Sequence, residues 1–233
     1  MRWGALGAAA LALALGGLAL GGGGRPVDAP LPRPADAPPP ERVAVLGTSL
    51  SHDELWPAAL EAALTACRAA RGLGPAEVVV AARPGAGADW GAARAAEVAR
   101  AAPDAVLIEF SANDSDRVDG IGAAASLAAH GAILDALGGV PAGVMAMAPA
   151  HGPRGWARVG RRRLEARIAA LAAARGAGAL DLVPFWEARW TAADESESRR
   201  RADLPDGLHP RPEVAAGTIP GPILDWIAPD CRP

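Results

Sequence analysis

Four short segments carry the residue types needed for acyl transfer through a serine: Gly47-Thr48-Ser49-Leu50, Pro84-Gly85, Ser111-Ala112-Asn113-Asp114 and Asp206-Gly207-Leu208-His209. That chemistry requires a nucleophile, donors for the developing oxyanion, and a base oriented by a carboxylate. Ser49 follows the apolar run Val43-Ala44-Val45-Leu46, which closes on Gly47, and a helical pattern begins soon after. A strand-to-helix turn bent at a glycine exposes the following side chain above the sheet and leaves helix amides unpaired nearby. A helix cap or a turn former fits the same position. Asp206 and His209 stand three residues apart in a Pro-flanked turn. At that spacing the carboxylate and imidazole can lie side by side, the Asp fixing the tautomer and the other ring nitrogen facing Ser49. An Asx turn with a surface histidine is the alternative for this segment alone. Asn113 comes after Val106-Leu107-Ile108-Glu109-Phe110, at the C-terminal end of an expected strand, the edge where open α/β sheets gather ligands. Its amide can donate to an oxyanion, as can the backbone N–H groups of Ser49 and Gly85. Asn113-Asp114 by itself also reads as a strand-ending turn.

In order and at strand ends, the four segments resemble the blocks of the SGNH hydrolases, also called the GDSL esterase/lipase family, over roughly residues 42 to 229. The resemblance implies Ser49 as nucleophile, Asp206 and His209 as the terminal D-x-x-H pair, and Ser49, Gly85 and Asn113 as oxyanion donors. Gly87 is the close alternative to Gly85. It also implies a three-layer α/β/α sandwich around a five-stranded parallel sheet of flavodoxin-like type. Two departures stand out. Thr48 occupies the place of the aspartate usual before the serine, so a carboxylate beside the nucleophile is missing. Ser111 stands where the third block commonly has glycine, adding a side chain near the expected oxyanion pocket. Thr48, Ser111 and His151, which follows the fourth expected strand, are therefore candidate substrate contacts.

The activity expected is that of an exported serine esterase, with a small ester or an acylated carbohydrate as substrate and short acyl groups such as O-acetyl favoured. An acyltransferase on the same site, or a non-catalytic carbohydrate-binding domain of the envelope, are the alternatives. A nucleotide-binding α/β domain fits less well. Gly85-Ala86-Gly87-Ala88-Asp89 lacks the third glycine of a dinucleotide fingerprint, and no phosphate-loop sequence is present. His52 is placed to line the pocket or cap the turn, and His130 lies inside a helix. Trp56 and Trp90 are pocket walls or core.

Elements that position these residues read as alternating strands and helices. After the first strand come a helix over about 53–70, a short buried strand at Val78-Val79-Val80, a helix over about 89–101 and a strand over 104–110. A helix over about 121–137, a strand over 140–147, a helix over 156–174 and a strand over 179–183 follow. Apolar strands without alternation, separated by helices, imply a parallel sheet covered on both faces. The polar segment 191–204 is expected as a loop beside the His209 turn, a lid or substrate rim.

Of 233 residues, about two hundred belong to one domain, residues 42–233. Residues 1–24 join Met1-Arg2 to the apolar stretch Ala5–Leu20, a signal-peptide core or an uncleaved N-terminal membrane anchor. The stretch from Gly21 to Pro40 is rich in glycine and proline, and residues 25–41 read as an extended linker. Together these predict an exported protein, periplasmic or secreted. Every one of the 23 basic residues is arginine, and with a net charge of −3 overall electrostatics suggest no nucleic-acid partner. The clusters Arg161-Arg162-Arg163 and Arg199-Arg200-Arg201 read as solvated faces, or contacts for anionic substrates. Cys67 and Cys231 either pair in an oxidising compartment or remain a buried and a free thiol. No Cys/His cluster suggests a metal, and no cofactor is expected.

Overall fold

The computed structural model describes residues 28–231, apart from 35, 53 and 193–195; the proposed signal segment lies outside them. Five strands, β1 (Arg42–Gly47), β2 (Glu77–Ala82), β3 (Ala105–Ile108), β4 (Ala142–Ala146) and β5 (Gly178–Asp181), form one sheet in the order β2-β1-β3-β4-β5. All pairs are parallel, with Val45 opposite Val80 and Leu107 on its two sides. Alternate residues of each strand feed opposite cores, as the period of a strand demands. On one face Val43, Val45, Leu107, Met145 and Leu180 meet α1 (Leu55–Ala69), α9 (Pro212–Thr218) and α10 (Pro220–Ile227). On the other, Ala44, Leu46, Val106, Ile108 and Val144 meet α2 (Ala88–Arg100), α4 (Gly122–Ala136) and α6 (Arg161–Ala174). The expected three-layer, five-stranded architecture is therefore present. Both faces of the central strands are covered, which is why their sequences run apolar without alternation. The strand at Val78-Val79-Val80 is not buried as expected: β2 is an edge strand, and Val79 and Val80 are exposed to 41% and 38%.

Several expectations need correction. The helix expected over 156–174 is two, α5 (Gly152–Ala157) and α6, because Gly160 takes φ +93° between them. The loop expected over 191–204 contains the end of α7 (Val183–Thr191) and the helix α8 (Ser196–Asp203). Asp203 closes α8 by accepting from Trp190 Nε1 at 3.0 Å and Arg189 Nε at 2.9 Å, which ties α8 to α7. The described part of the proposed linker is no spacer. Leu31 is buried, Ala29 bridges Ala179 of β5 in antiparallel fashion, and Arg33 donates to the Ile227 carbonyl at 2.8 Å. Proline-rich sequence here makes an extended strap that covers the β5 edge of the sheet. Of the two cysteine readings, the structure has the disulfide: Cys67 of α1 is bonded to Cys231 across a Cα separation of 5.4 Å, fastening the C-terminal turn to the α1 layer.

Candidate active site

The C-terminal edge of the sheet gathers the loops that follow β1, β2, β3 and β4, and the segment after α8 joins them. Ser49, half-buried, stands in the turn between β1 and α1. Its Oγ lies 2.8 Å from His209 Nε2, and His209 Nδ1 lies 2.7 Å from Asp206 Oδ2. Asp206 Oδ1 accepts the backbone N–H groups of Leu208 at 2.9 Å and His209 at 2.8 Å. Burial opposes ionisation of this carboxyl, but the hydrogen bonds from His209 and Leu208 outweigh it and draw its pKa down to about 2. An ionised carboxylate only accepts, so the proton of neutral His209 sits on Nδ1 and Nε2 is left to accept from the Ser49 hydroxyl. Arg154 of α5 approaches the same carboxylate at 3.5 Å.

Gly85, after β2, holds φ at +74°, a conformation that L side chains rarely adopt. Among the described residues its N–H has no acceptor, and neither has the N–H of Ser49. Asn113 lies in the one-turn helix α3 (Ser111–Asp114), not in an open strand-end turn, and donates one amide hydrogen to the Ala86 carbonyl at 2.9 Å. A cavity of about 230 Å³ is lined by Gly85, Gly87, Asn113, Trp90 and Ile121 among others. Gly87 is the N-cap of α2, and a Cβ there would stand 2.9 Å from Asp114 Oδ1, so the position has room for no side chain; its N–H, like that of Gly85, has no acceptor among the described residues. Asp114 accepts the Ala88 N–H at 2.9 Å and Ser126 Oγ at 2.6 Å, bracing the start of α2 against α4; burial pushes its pKa up to about 6.

Three expected substrate contacts face elsewhere. Thr48 is completely buried, and both its N–H and its hydroxyl are turned to Glu109. Ser111 is buried with its hydroxyl donating to Glu165 Oε1 at 3.0 Å. Half-buried His151 donates its backbone N–H to the Gly207 carbonyl at 2.8 Å and has Nε2 3.1 Å from the Leu204 carbonyl. It holds the loop that carries Asp206 and His209. Trp56 is core, its Nε1 donating to the Leu50 carbonyl at 2.8 Å, while Trp90 is half-buried at the cavity. His130 is buried among Ser126, Asp114 and Phe110, and burial lowers its pKa to about 4. No group of three or more potential metal ligands occurs among the described residues.

The sequence reading missed Glu109 and Arg154. Glu109 was legible as the one charge in the apolar run of residues 106–110, just past the end of β3, since a carboxylate so placed must find donors.

The model of the GDSL-like lipase/acylhydrolase family matches residues 45–216. The chain belongs to that family. Its members are ester-hydrolysing enzymes, and this chain is one of them. Solved structures share the fold. A lipase/acylhydrolase from Enterococcus faecalis is 23% identical over 83% of this chain and 98% of its own, with a TM-score of 0.65. An acetyl xylan esterase from Geobacillus stearothermophilus is 17% identical over 81% of this chain and 94% of its own, with a TM-score of 0.61. The esterase EstA from a Pseudoalteromonas species, solved inhibited by monoethylphosphonate, is 20% identical over 80% and 96%, with a TM-score of 0.54. No curated protein matches the sequence.

Proposed function

We propose that the protein is an exported serine esterase that removes short acyl groups, such as O-acetyl groups of a carbohydrate, through an acyl-enzyme on Ser49. The observation that carries this reading is the unbroken chain of hydrogen bonds from Ser49 Oγ through His209 to Asp206, at 2.8 and 2.7 Å. In the first step Ser49 Oγ attacks the ester carbonyl while His209 Nε2 takes its proton. Asp206 stabilises the imidazolium that results. The oxyanion receives the N–H groups of Ser49 and Gly85 and the second amide hydrogen of Asn113; loss of one such donor typically costs ~10²-fold or more in turnover. His209 then returns its proton to the departing alcohol. Water, activated by the same imidazole, releases the acid.

The cavity lined by Gly85 and Asn113, the proposed oxyanion donors, holds only about 230 Å³, which favours a short acyl group. The acetyl xylan esterase among the structural neighbours agrees with the preference. Export is supported by the apolar N-terminal stretch together with the Cys67–Cys231 disulfide, a bond that persists in oxidising compartments. The departures at Thr48 and Ser111 would be the argument for a purely binding role, but their hydroxyls are engaged by the buried Glu109 and Glu165. The test is labelling of the folded protein with a fluorophosphonate, with peptide mapping and a parallel assay of acetyl and longer-chain esters. Modification of Ser49 that is lost on heat denaturation, with acetyl esters turned over fastest, is expected. A folded protein that is neither labelled nor active on any ester would reject the reading.

A further inference from the structure

Beneath the turn that carries Ser49 lies a carboxylate for which the reaction has no direct use. Glu109 stands one residue past β3, is 2% exposed, and reaches under the neighbouring β1–α1 turn. Its Oε1 accepts the Thr48 N–H at 2.6 Å and the Ser51 hydroxyl at 2.8 Å, while the Thr48 hydroxyl lies 3.0 Å from Oε2. The residues immediately before Ser49 and two after it are thus tied to one side chain. Thr48 Oγ1 in turn accepts the Leu50 N–H at 3.2 Å. Room for this reach comes from Gly47: a Cβ there would stand 2.3 Å from Glu109 Oε1. The carboxylate expected at position 48 is therefore supplied from the next strand.

We infer that Glu109 is a positioning residue, whose hydrogen bonds to Thr48 and Ser51 set the Ser49 hydroxyl against His209 and aim the Ser49 N–H at the oxyanion. The inference rests on Ser49 being the nucleophile. It assigns the effect to hydrogen bonding, because the network survives loss of the charge. Both hydroxyls can rotate, so a neutral group with one acceptor and one donor still serves it. Oε1 must accept, since the Thr48 N–H can only donate, but Thr48 Oγ1 can equally accept from a hydrogen on the second atom. Glutamine meets those demands, and alanine meets none. The buried cation Arg161 acts on Glu109 electrostatically and is itself held by Glu165, whose Oε1 it meets at 2.6 Å; Ser111 donates to the same oxygen. Glu109 under the Ser49 turn and Glu165 under the Asn113 turn are thus two buried carboxylates that share the charge of Arg161, directly hydrogen-bonded only to Glu165.

A displacement of reacting atoms by about 1 Å costs on the order of 10²-fold. The experiment measures the rate of Ser49 phosphonylation, with kcat and KM for a small acetyl ester, in the wild type, Glu109→Ala, Glu109→Gln and Gly47→Ala. Circular dichroism and Tm confirm that each is folded. Gly47→Ala leaves the carboxylate in the chain but drives it from beneath the turn, so the result does not depend on Glu109→Ala folding. Expected is a loss of about 10²-fold in phosphonylation rate and kcat for Glu109→Ala and Gly47→Ala, with KM little changed, and recovery of most of that loss by glutamine. A merely structural role would lower Tm and leave these rates of the folded protein alone. Wild-type rates in folded Glu109→Ala or Gly47→Ala would overturn the inference, and so would a Glu109→Gln as slow as the alanine variant. If the wild type itself is not modified, the catalytic reading fails and this inference with it.

Discussion

Replacing Asp206 by asparagine should harm the enzyme more than its near-identical shape suggests, and more than replacing it by alanine. The reason lies in what else that carboxylate holds. Oδ1 accepts two backbone N–H groups, from Leu208 at 2.9 Å and His209 at 2.8 Å, leaving Oδ2 for His209 Nδ1. An asparagine must keep its carbonyl oxygen against those two donors, which turns its NH₂ toward the imidazole. Nδ1 then has to accept, the ring proton moves to Nε2, and Nε2 can no longer take the proton of Ser49 Oγ. Flipping the amide would restore the tautomer but forfeits two hydrogen bonds of ~1 kcal/mol each, so the productive arrangement is disfavoured by roughly 30-fold. Loss of the charge-assisted bond to the imidazolium adds ~1.5–3 kcal/mol, or about 10- to 100-fold. The product is a fall in kcat of about 10³-fold. Alanine leaves the imidazole free to adopt either tautomer, with water in the space, and should retain more activity than asparagine. Steady-state hydrolysis of an acetyl ester by the two purified variants gives the comparison. An asparagine variant within tenfold of wild type, or well above the alanine variant, would refute the reasoning.

Ser49→Ala should abolish ester hydrolysis with Tm nearly unchanged, because the side chain is half-buried and its loss leaves no cavity; retained wild-type turnover would remove Ser49 from the mechanism. His209→Ala should be as inactive, whereas His151→Ala should keep measurable turnover with a looser 204–209 loop, read as a lower Tm. Reduction of Cys67–Cys231, 164 residues apart in sequence, should destabilise the fold by up to about 5 kcal/mol in denaturant titrations, the loop-closure value for that separation. Glu109 is the main group for a pH test of stability. Burial raises its pKa from 4.5 to about 7, against the hydrogen bonds from Thr48 and Ser51 and the charge of Arg161. The folded state therefore binds the proton more tightly than the unfolded chain, and the contribution of Glu109 to stability falls as pH rises from about 4.5 to about 7. Glu109→Gln should gain stability relative to wild type over that window, by as much as about 3 kcal/mol at pH 8. A difference that is flat with pH would place the Glu109 titration elsewhere.

What the sequence revealed and what it hid follow from the range of the forces involved. Strand–helix alternation and the order of the four motif blocks are local patterns, so the three-layer sheet and the meeting of Ser49, Asn113 and His209 at one edge were legible. Side-chain direction around the turns was not. Thr48 and Ser111 sit in motif blocks, and proximity in sequence suggested substrate contact. Their hydroxyls instead turn to buried carboxylates on Glu109 and Glu165, 61 and 54 residues away. The strap over 28–41 was misread for a related reason. Its composition suits an extended chain, and only the tertiary fold decides whether that chain is solvated or laid against β5 through Leu31 and Ala29.

Glu109 shows how the two levels join. A carboxylate at the end of an apolar strand is a local inconsistency in the sequence, costly unless donors are brought to it. The turn after the adjacent strand β1 brings three, two of them from the residue that replaced the expected aspartate. The departure at position 48 and the charge at position 109 are thus one feature seen from two strands. If that is so, restoring the aspartate by Thr48→Asp in the presence of Glu109 should be damaging, since two carboxylates would then compete for one N–H in a buried site, and one of them would have to stay protonated. The pair Thr48→Asp with Glu109→Gln should recover activity relative to Thr48→Asp alone. Failure of that double variant to exceed the single one would show that the two positions are not coupled through the Ser49 turn.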